Sequence, residues 1–159
     1  MADYKHKLTQ LQIARIIAKR VHGGRLDKSG NPEIFHPQAV AEMCETTKEK
    51  CAAWLHDVIE DSCLTLDDLK EWGVDEEILA AVGCITRDEE EDVYQYLVRV
   101  ASNDIAAEVK LHDMQHNSSP ERLDPNFFTH GKRLQIIDKY ATRTRLLKKM
   151  IDPKGQTLT

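Results

Sequence analysis

The sequence has few of the residues that loop-rich, all-β or membrane proteins need. Only 7 glycines and 5 prolines occur among 159 residues, and no stretch alternates β-branched and polar residues as a strand does. No apolar run approaches the roughly 20 residues that cross a membrane. The charged N-terminus also lacks the apolar segment of a signal peptide. These absences predict a cytoplasmic all-α protein with no membrane partner.

Cysteine pairs and excess positive charge are also missing. Cys44, Cys51, Cys63 and Cys84 form no CxxC motif, and each lies in or beside an apolar helical stretch. This pattern favours buried free thiols over disulfides or a zinc knot. The net charge of −5 argues against general nucleic-acid binding, which needs a basic surface. This net charge is still compatible with a small phosphorylated ligand bound in a local basic pocket.

The chain has the length of one domain with a single hydrophobic core. Helical apolar spacing, N-terminal caps and glycine stops predict eight or so helices. They cover residues 8–21, 36–46, 50–59, 64–72, 75–85, 93–101, 105–117 and 127–151. We expect one domain over residues 1–159, with its core at about 5–151 and a frayed tail at 152–159.

Single residues add further expectations about the helices and the core. Thr47 and Asp104 are expected to cap the third and seventh helices. Trp54 and Trp72 are assigned to the core, whereas His22 is assigned to the solvent-facing surface.

Residues 54–61, Trp-Leu-His-Asp-Val-Ile-Glu-Asp, combine ionisable and apolar side chains. Residues four apart share a helical face, so His56 should lie above Glu60 and Asp57 above Asp61. Buried carboxylates are costly unless they are paired or bind a metal. Acids at the end of a helix also oppose its dipole. This stretch therefore predicts two metal ligands, followed by two acids near the water on that metal.

Two further segments each supply part of such a site. His36-Pro37 lies where a loop meets a helix, and the later segment places Lys110, Asp113 and Asn117 on one helical face. Two imidazoles and two carboxylates suit Mn²⁺, Fe²⁺ or Zn²⁺ better than Ca²⁺. His112 and His116 flank Asp113 and are expected at the surface or in contact with a ligand rather than on the metal.

Together these residues resemble the HD-domain metal-dependent phosphohydrolases. Within that family the sequence is most similar to the hydrolase domain of RelA/SpoT-type proteins and to the single-domain small alarmone hydrolases. The likeness spans about residues 8–140. It is carried by Arg25, Phe35-His36-Pro37, Ala39-Val40-Ala41, His56-Asp57-Val58-Ile59-Glu60-Asp61, Lys110-Leu111-His112-Asp113 and Asn117. The resemblance implies an HD-domain helical bundle.

The resemblance also implies an activity and a site. The activity is the removal of the 3′-pyrophosphate of guanosine tetra- or pentaphosphate (ppGpp, pppGpp), an alarmone of the stringent response, with Mn²⁺ as cofactor. Two acids would position and deprotonate the attacking water. The expected site comprises metal ligands His36, His56, Asp57 and Asp113, catalytic acids Glu60 and Asp61, and substrate contacts Arg25, Lys110, Asn117, Arg122 and Tyr140.

Two positions depart from the alarmone-hydrolase pattern. Leu26 and Ser119 stand where that family usually carries basic residues. Arg122, or Lys132 and Arg133 on the last helix, could supply the missing cations. A second substrate class therefore stays open: another phosphorylated nucleotide, such as the 2′-phosphate of NADPH, an adenosine-based alarmone or a nucleoside monophosphate.

A third alternative is a non-catalytic module that binds a nucleotide or a metal. The complete set of acids and imidazoles argues against it. Whichever substrate applies, the sequence predicts a small nucleotide as the partner, no nucleic acid, and a monomer or homodimer.

Overall fold

The computed structural model describes residues 7–153, so most of the expected frayed tail lies outside the described residues. This part of the chain forms eight α-helices and no strand, which confirms the predicted all-α bundle. The helices are α1 (Gln10–His22), α2 (Phe35–Met43), α3 (Thr47–Leu55), α4 (Leu66–Glu71), α5 (Glu76–Ile85), α6 (Val93–Ala101), α7 (Asp104–Asn117) and α8 (His130–Ile151).

Side-chain caps set several helix starts. Thr46, not the predicted Thr47, caps α3 and forms a capping box with Glu49. Asn103, not the predicted Asp104, caps α7 by accepting from the amide of Ala106. Asp104 instead occupies the first turn of α7, where its charge complements the helix dipole. Both predictions were wrong by one residue, because each true cap is followed by a second residue of capping type.

Several helices are shorter than predicted. Helix α3 ends at Leu55 rather than at residue 59, and residues 56–61 form turns. The Nδ1 atom of His56 lies 2.6 Å from the carbonyl oxygen of Ala53. In a continued helix that carbonyl would accept from the amide of Asp57, so the imidazole competes with the helical ladder.

The last helix also begins later than predicted. Helix α8 starts at His130 because Thr129 caps it, accepting from the amide of Lys132. The predicted start at residue 127 is wrong, because Phe127 lies in a turn closed by a bond from its amide to the carbonyl of Asp124. Helix α2 similarly stops at Met43 rather than at residue 46.

Helix α3 lies at the centre of the bundle, with α1, α2, α5 and α7 packed against it. Fully buried apolar side chains fill the core, among them Leu55, Val58, Leu97 and Met114. None of the helices in the described chain is long and apolar enough to cross a bilayer. The packing brings the N-terminus of α2, the C-terminus of α3 and the middle of α7 together.

The burial of Trp72 and of His22 differs from the prediction. Trp54 is buried as expected, but Trp72 is 39% exposed and lies beneath the guanidinium of Arg20. His22 was assigned to the surface, yet it is only 1% exposed. It is the last residue of α1, where the chain turns back over the helix end.

The cysteines are free, as predicted. Cys44 and Cys51 are buried, but Cys63 is exposed. The expectation of burial therefore fails for Cys63, which lies in the turn region after α3.

Candidate active site

Two imidazoles face each other where α2 meets the end of α3. The Nε2 atoms of His36 and His56 lie 3.2 Å apart. The Nδ1 atom of His56 donates to the carbonyl of Ala53, which can only accept. In the neutral ring the lone pair of His56 is therefore on Nε2. It faces His36 and the neighbouring carboxylates.

Two carboxylates complete this cluster. Asp57 Oδ2 lies 3.1 Å from Nε2 of His56 and 3.6 Å from Nε2 of His36. Asp113, from α7, places Oδ1 at 3.0 Å and 3.4 Å from Nε2 of His36 and His56. His36, His56 and Asp57 form a group whose ligand atoms all lie within 4.8 Å of one another. The structure thus brings together the four residues expected to bind metal.

The donor chemistry of this cluster fits a divalent cation. Two nitrogen lone pairs cannot face each other at 3.2 Å unless a proton or a cation lies between them. Two imidazole nitrogens and two carboxylate oxygens are ligands of borderline divalent metals. His36, His56, Asp57 and Asp113 are the residues that could hold such an ion.

Electrostatics inside the cluster favours ionised carboxylates. Burial alone lowers the pKa of His56, but Asp57 and Asp113 outweigh burial and raise it well above its usual range. Burial raises the pKa of Asp57, yet the charge of His56 brings it down to about 2. For Asp113, burial is likewise outweighed, chiefly by Lys110, and its pKa lies well below the usual range. Two negative charges are therefore available to a cation.

His116 supports the cluster from behind. Its Nδ1 atom lies 2.7 Å from Nδ1 of His36, and the two rings stack. A metal-binding histidine commonly uses its second nitrogen in this way to fix ring orientation. His116 thus contacts an expected ligand, whereas His112 on the same helix faces Glu108.

Asp113 is held by two neighbours one turn away on α7. Lys110 Nζ donates to Oδ2 and Asn117 Nδ2 donates to Oδ1, both at 2.7 Å. Burial lowers the pKa of Lys110, but Asp113 more than compensates and the pKa is raised. Lys110 and Asn117, two of the expected substrate contacts, also line the cavity above the cluster.

The structure separates the two expected catalytic acids. Glu60 lines the cavity with His36 and Asp57, and one of its carboxylate oxygens accepts from the amide of Arg87. Burial raises the pKa of Glu60. The carboxylate of Asp61 turns the other way and lies 3.9 Å from Nδ1 of His22. The predicted helical face does not form, because α3 ends before these residues.

A cavity of about 200 Å³ lies over the cluster, and three of the four clustered residues, His36, Asp57 and Asp113, line it. Beside the cluster its walls are largely basic. They consist of Glu60, Arg87, Tyr96, Lys110, Asn117, Arg122, Tyr140 and Arg143, together with His36, Asp57 and Asp113. We call this space the inner cavity.

A second space of about 380 Å³ adjoins it, and we call it the outer cavity. Asn117, Arg122 and Tyr140 line both. The remaining walls of the outer cavity combine apolar side chains with three lysines: Leu26, Leu123, Phe128, Ile136, Lys28, Lys132 and Lys139, beside Asp27, Ser29 and Glu33. The apolar walls suit a planar group, and the cations of both cavities suit several phosphates on the same molecule.

One expected substrate contact lies elsewhere. Arg25 lines neither cavity and donates from Nη1 to the carbonyl of Asp61 at 2.8 Å. Arg122, expected as a replacement cation, does line both cavities and is oriented by Asp27 at 3.0 Å. Lys132 also lines the outer cavity, but Arg133 does not.

Sequence reasoning missed two cations of the inner cavity. Arg143 follows Tyr140 by three residues on α8, a spacing that places both on one helical face and could have indicated it. Arg87 lies in the loop after α5. No local pattern marks Arg87, because the contact of its backbone amide with Glu60 joins residues that are far apart in the chain.

The chain was compared with protein-family models, with curated proteins and with solved structures. No protein-family model matches the chain. It is 33% identical over 146 residues to a GTP pyrophosphokinase of Streptomyces coelicolor, covering 84% of this chain and 17% of that protein. It is 39% identical over 69 residues to the bifunctional (p)ppGpp synthase/hydrolase SpoT of Escherichia coli, covering 41% of this chain and 10% of that protein.

A guanosine-3′,5′-bis(diphosphate) 3′-pyrophosphohydrolase of Aquifex aeolicus is 35% identical over 75 residues, covering 45% of this chain and 11% of that protein. The chain thus spans only 10% to 17% of these curated relatives. A solved structure described as a metazoan ortholog of SpoT that hydrolyses ppGpp has a TM-score of 0.67 and 18% identity. That match covers 94% of this chain and 98% of that one, so the two share a fold.

Proposed function

Since the chain belongs to the HD-type family of SpoT-like hydrolase domains, we propose that it hydrolyses the 3′-pyrophosphate of ppGpp or pppGpp with a divalent metal as cofactor. One observation carries the proposal. Two imidazole nitrogens and two carboxylates converge, and three of these four residues line a cavity whose other walls bear four cations.

Mn²⁺ is the proposed cofactor, held by His36, His56, Asp57 and Asp113. A bound divalent ion lowers the pKa of its water from about 15.7 toward about 7 and polarises a phosphoryl oxygen. Nitrogen and carboxylate ligands without a thiolate suit Mn²⁺, and Fe²⁺ or Zn²⁺ compete for the same donors.

Glu60 is the proposed general base. It lines the inner cavity beside Asp57, and burial raises its pKa toward the range in which a carboxylate accepts a proton effectively. Asp61 is turned toward His22, so we assign it a positioning role. It follows Glu60 directly, and its carbonyl holds Arg25 in place.

The cations of the inner cavity are suited to the leaving pyrophosphate. Arg87, Lys110, Arg122 and Arg143 surround the space. Charge-assisted hydrogen bonds to phosphate oxygens are about twice as strong as neutral ones. Donors already in place also stabilise the charge that develops on the leaving group.

The outer cavity favours a nucleotide that carries phosphates on both sides of its ribose. Leu26, Phe128 and Tyr140 offer apolar contacts to a base. None of the three lysines of this cavity is paired with a carboxylate in the described part of the chain. Burial, reinforced by Arg143 and the neighbouring lysines, lowers the pKa of Lys139. The four cations of this cavity outnumber its two carboxylates, Asp27 and Glu33. This excess of positive charge suits a 5′-diphosphate and gives a nucleoside monophosphate no advantage.

A panel of nucleotides tests the proposal. The purified protein with Mn²⁺ should release pyrophosphate from ppGpp, and the His56→Gln variant should not. Faster release of orthophosphate from NADPH or from a nucleoside monophosphate would transfer the assignment to the second substrate class. Tight metal binding without turnover of any nucleotide would identify a binding module.

A further inference from the structure

A second group of ligand-type side chains lies outside the cluster described above. His22, Glu33 and Asp61 place one ligand atom each within 4.8 Å of one another. His22 is 1% exposed, and neither of its ring nitrogens has a hydrogen-bond partner in the described part of the chain. Buried polar groups normally have a partner, so an unpartnered imidazole that faces two carboxylates points to a missing ligand.

The distances in this group suit a shared cation better than hydrogen bonds. Nδ1 of His22 lies 3.6 Å from Oε2 of Glu33 and 3.9 Å from Oδ2 of Asp61. Both separations exceed the 2.7–3.2 Å range of an ordinary N–H···O bond. Ligands that each bind one ion at about 2.0–2.2 Å stand roughly 3 to 4 Å apart. The observed spacing is that of ligands around an ion.

The backbone already holds the three residues in this arrangement. The carbonyl of His22 accepts from the amide of Arg25, and the carbonyl of Arg25 accepts from the amide of Glu33, at 3.2 Å and 2.9 Å. Asp61 is fixed by its amide bond to the carbonyl of Asp57 at 3.0 Å. Binding an ion therefore requires only side-chain adjustment.

We propose that His22, Glu33 and Asp61 form a second divalent-cation site that shares no ligand with the first. One imidazole and two carboxylates suit Mn²⁺, Fe²⁺ or Zn²⁺, with water in the remaining positions. The ion would neutralise the two carboxylates, beside which Arg25 donates to the backbone carbonyl of Asp61.

Such an ion would join the end of α1 to the turn at residues 56–61, which carries Asp57 and Glu60. It would therefore fix the segment that supplies both a ligand and the proposed base. The alternative is that the three side chains lie together without an ion. The two alternatives differ in the number of ions bound per chain.

The number of metal ions bound per chain shows whether the second site holds an ion. After dialysis against Mn²⁺ and removal of free ion, wild-type protein should hold two ions per chain by plasma mass spectrometry. Glu33→Gln and His22→Gln should each hold one, as should His56→Gln, which loses the other site. Glu71→Gln, at an exposed glutamate of α4, should retain two. A wild-type value of one, or two ions in both Glu33→Gln and His22→Gln, would overturn the second site.

Thermal melting supplies a readout that does not depend on turnover. In the His56→Gln background, Mn²⁺ should still raise the melting temperature, and adding Glu33→Gln should abolish that rise. An unchanged rise in the double variant rules the site out. Hydrolysis of ppGpp by a protein with one ion would leave the proposed function standing while rejecting the second site. Two ions with no hydrolysis would give the reverse result.

Discussion

The Nδ1 atoms of His36 and His116 lie 2.7 Å apart in two stacked, buried rings. Only one of these nitrogens can carry the shared proton. Burial and the nearby His36 lower the pKa of His116, so His116 is the neutral acceptor, and its own N–H lies on Nε2, 3.4 Å from Glu121. His36 then donates from Nδ1 and keeps its Nε2 lone pair toward Asp57 and Asp113.

Replacing His116 should therefore weaken metal binding without removing a ligand. We expect His116→Ala to lower the affinity for Mn²⁺ by about 10- to 100-fold, the usual effect of losing a group that orients a ligand. Calorimetric titration measures this. His112→Ala on the same helix is the matched control and should change the affinity little, because His112 faces Glu108. Equal losses in the two variants would contradict the role given to His116.

The proposed base can be separated from the metal ligands by substitution. Glu60→Gln should retain Mn²⁺ and lose roughly 100- to 10,000-fold in kcat, the usual contribution of a general base. Asp61→Asn should lose less, because its carboxylate does not line the inner cavity. Single-turnover pyrophosphate release, measured on protein of known metal content, gives both numbers. A greater loss in Asp61→Asn would reverse the two roles.

The pH dependence of kcat should reflect the ionisation of Glu60. Burial raises the pKa of Glu60, and a base acts only when it is deprotonated. The acid limb of the kcat profile should therefore fall at a higher pH than for an ordinary glutamate. This limb should disappear in Glu60→Gln, whose residual activity depends less on pH. An unchanged limb in that variant would assign the titration to another group.

The sequence indicated the four clustered residues because the motif spacing survives in the fold, even though the helix predicted through residue 59 does not. Helical periodicity records only which side chains share a face. It cannot show that the ring of His56 donates to the carbonyl of Ala53, which would otherwise accept a backbone hydrogen bond within the helix. The expected partnership of Glu60 with Asp61 failed for that reason, since the turns send the two carboxylates in different directions.

Long-range packing explains the other differences. His22 stands beside two glycines at the end of a helix, a context typical of exposed positions, and it is buried by chain that follows later. Arg87 reaches the inner cavity from a loop that no local pattern connects with Glu60. Such contacts arise from packing between helices, whereas the caps and most helix spans follow from neighbouring residues.

The buried cysteines should resist modification. Burial raises the pKa of Cys44 and of Cys51 to about 11, whereas Cys63 is exposed. Iodoacetamide at pH 8 should therefore label native protein at Cys63 well before the two buried thiols, as peptide mass spectrometry would record. Labelling of all three at similar rates would indicate that the region around α3 opens readily.

The two buried thiols also predict that the folded state loses stability at high pH. Their folded-state pKa values lie above the ordinary value of 9.0, so the folded state favours the neutral thiol. The stability that they contribute is complete below pH 9 and is lost as the pH rises toward about 11. Urea unfolding at pH 8 and pH 10.5 should show this loss. It should be smaller in Cys51→Ala than in wild-type protein.

The lysines of the outer cavity predict which substrate the protein binds more tightly. Lys139 lines it without a carboxylate partner in the described chain, and loss of one charge-assisted contact should raise KM for ppGpp roughly tenfold. The value of kcat should change little, because Lys139 does not line the inner cavity. A guanosine 3′-diphosphate with a free 5′-hydroxyl should show no such difference between wild-type protein and Lys139→Ala. Lys149→Ala, at an exposed position of α8, is the control for general loss of charge. A KM increase of the same size for both substrates would mean that Lys139 contacts the 3′ side instead.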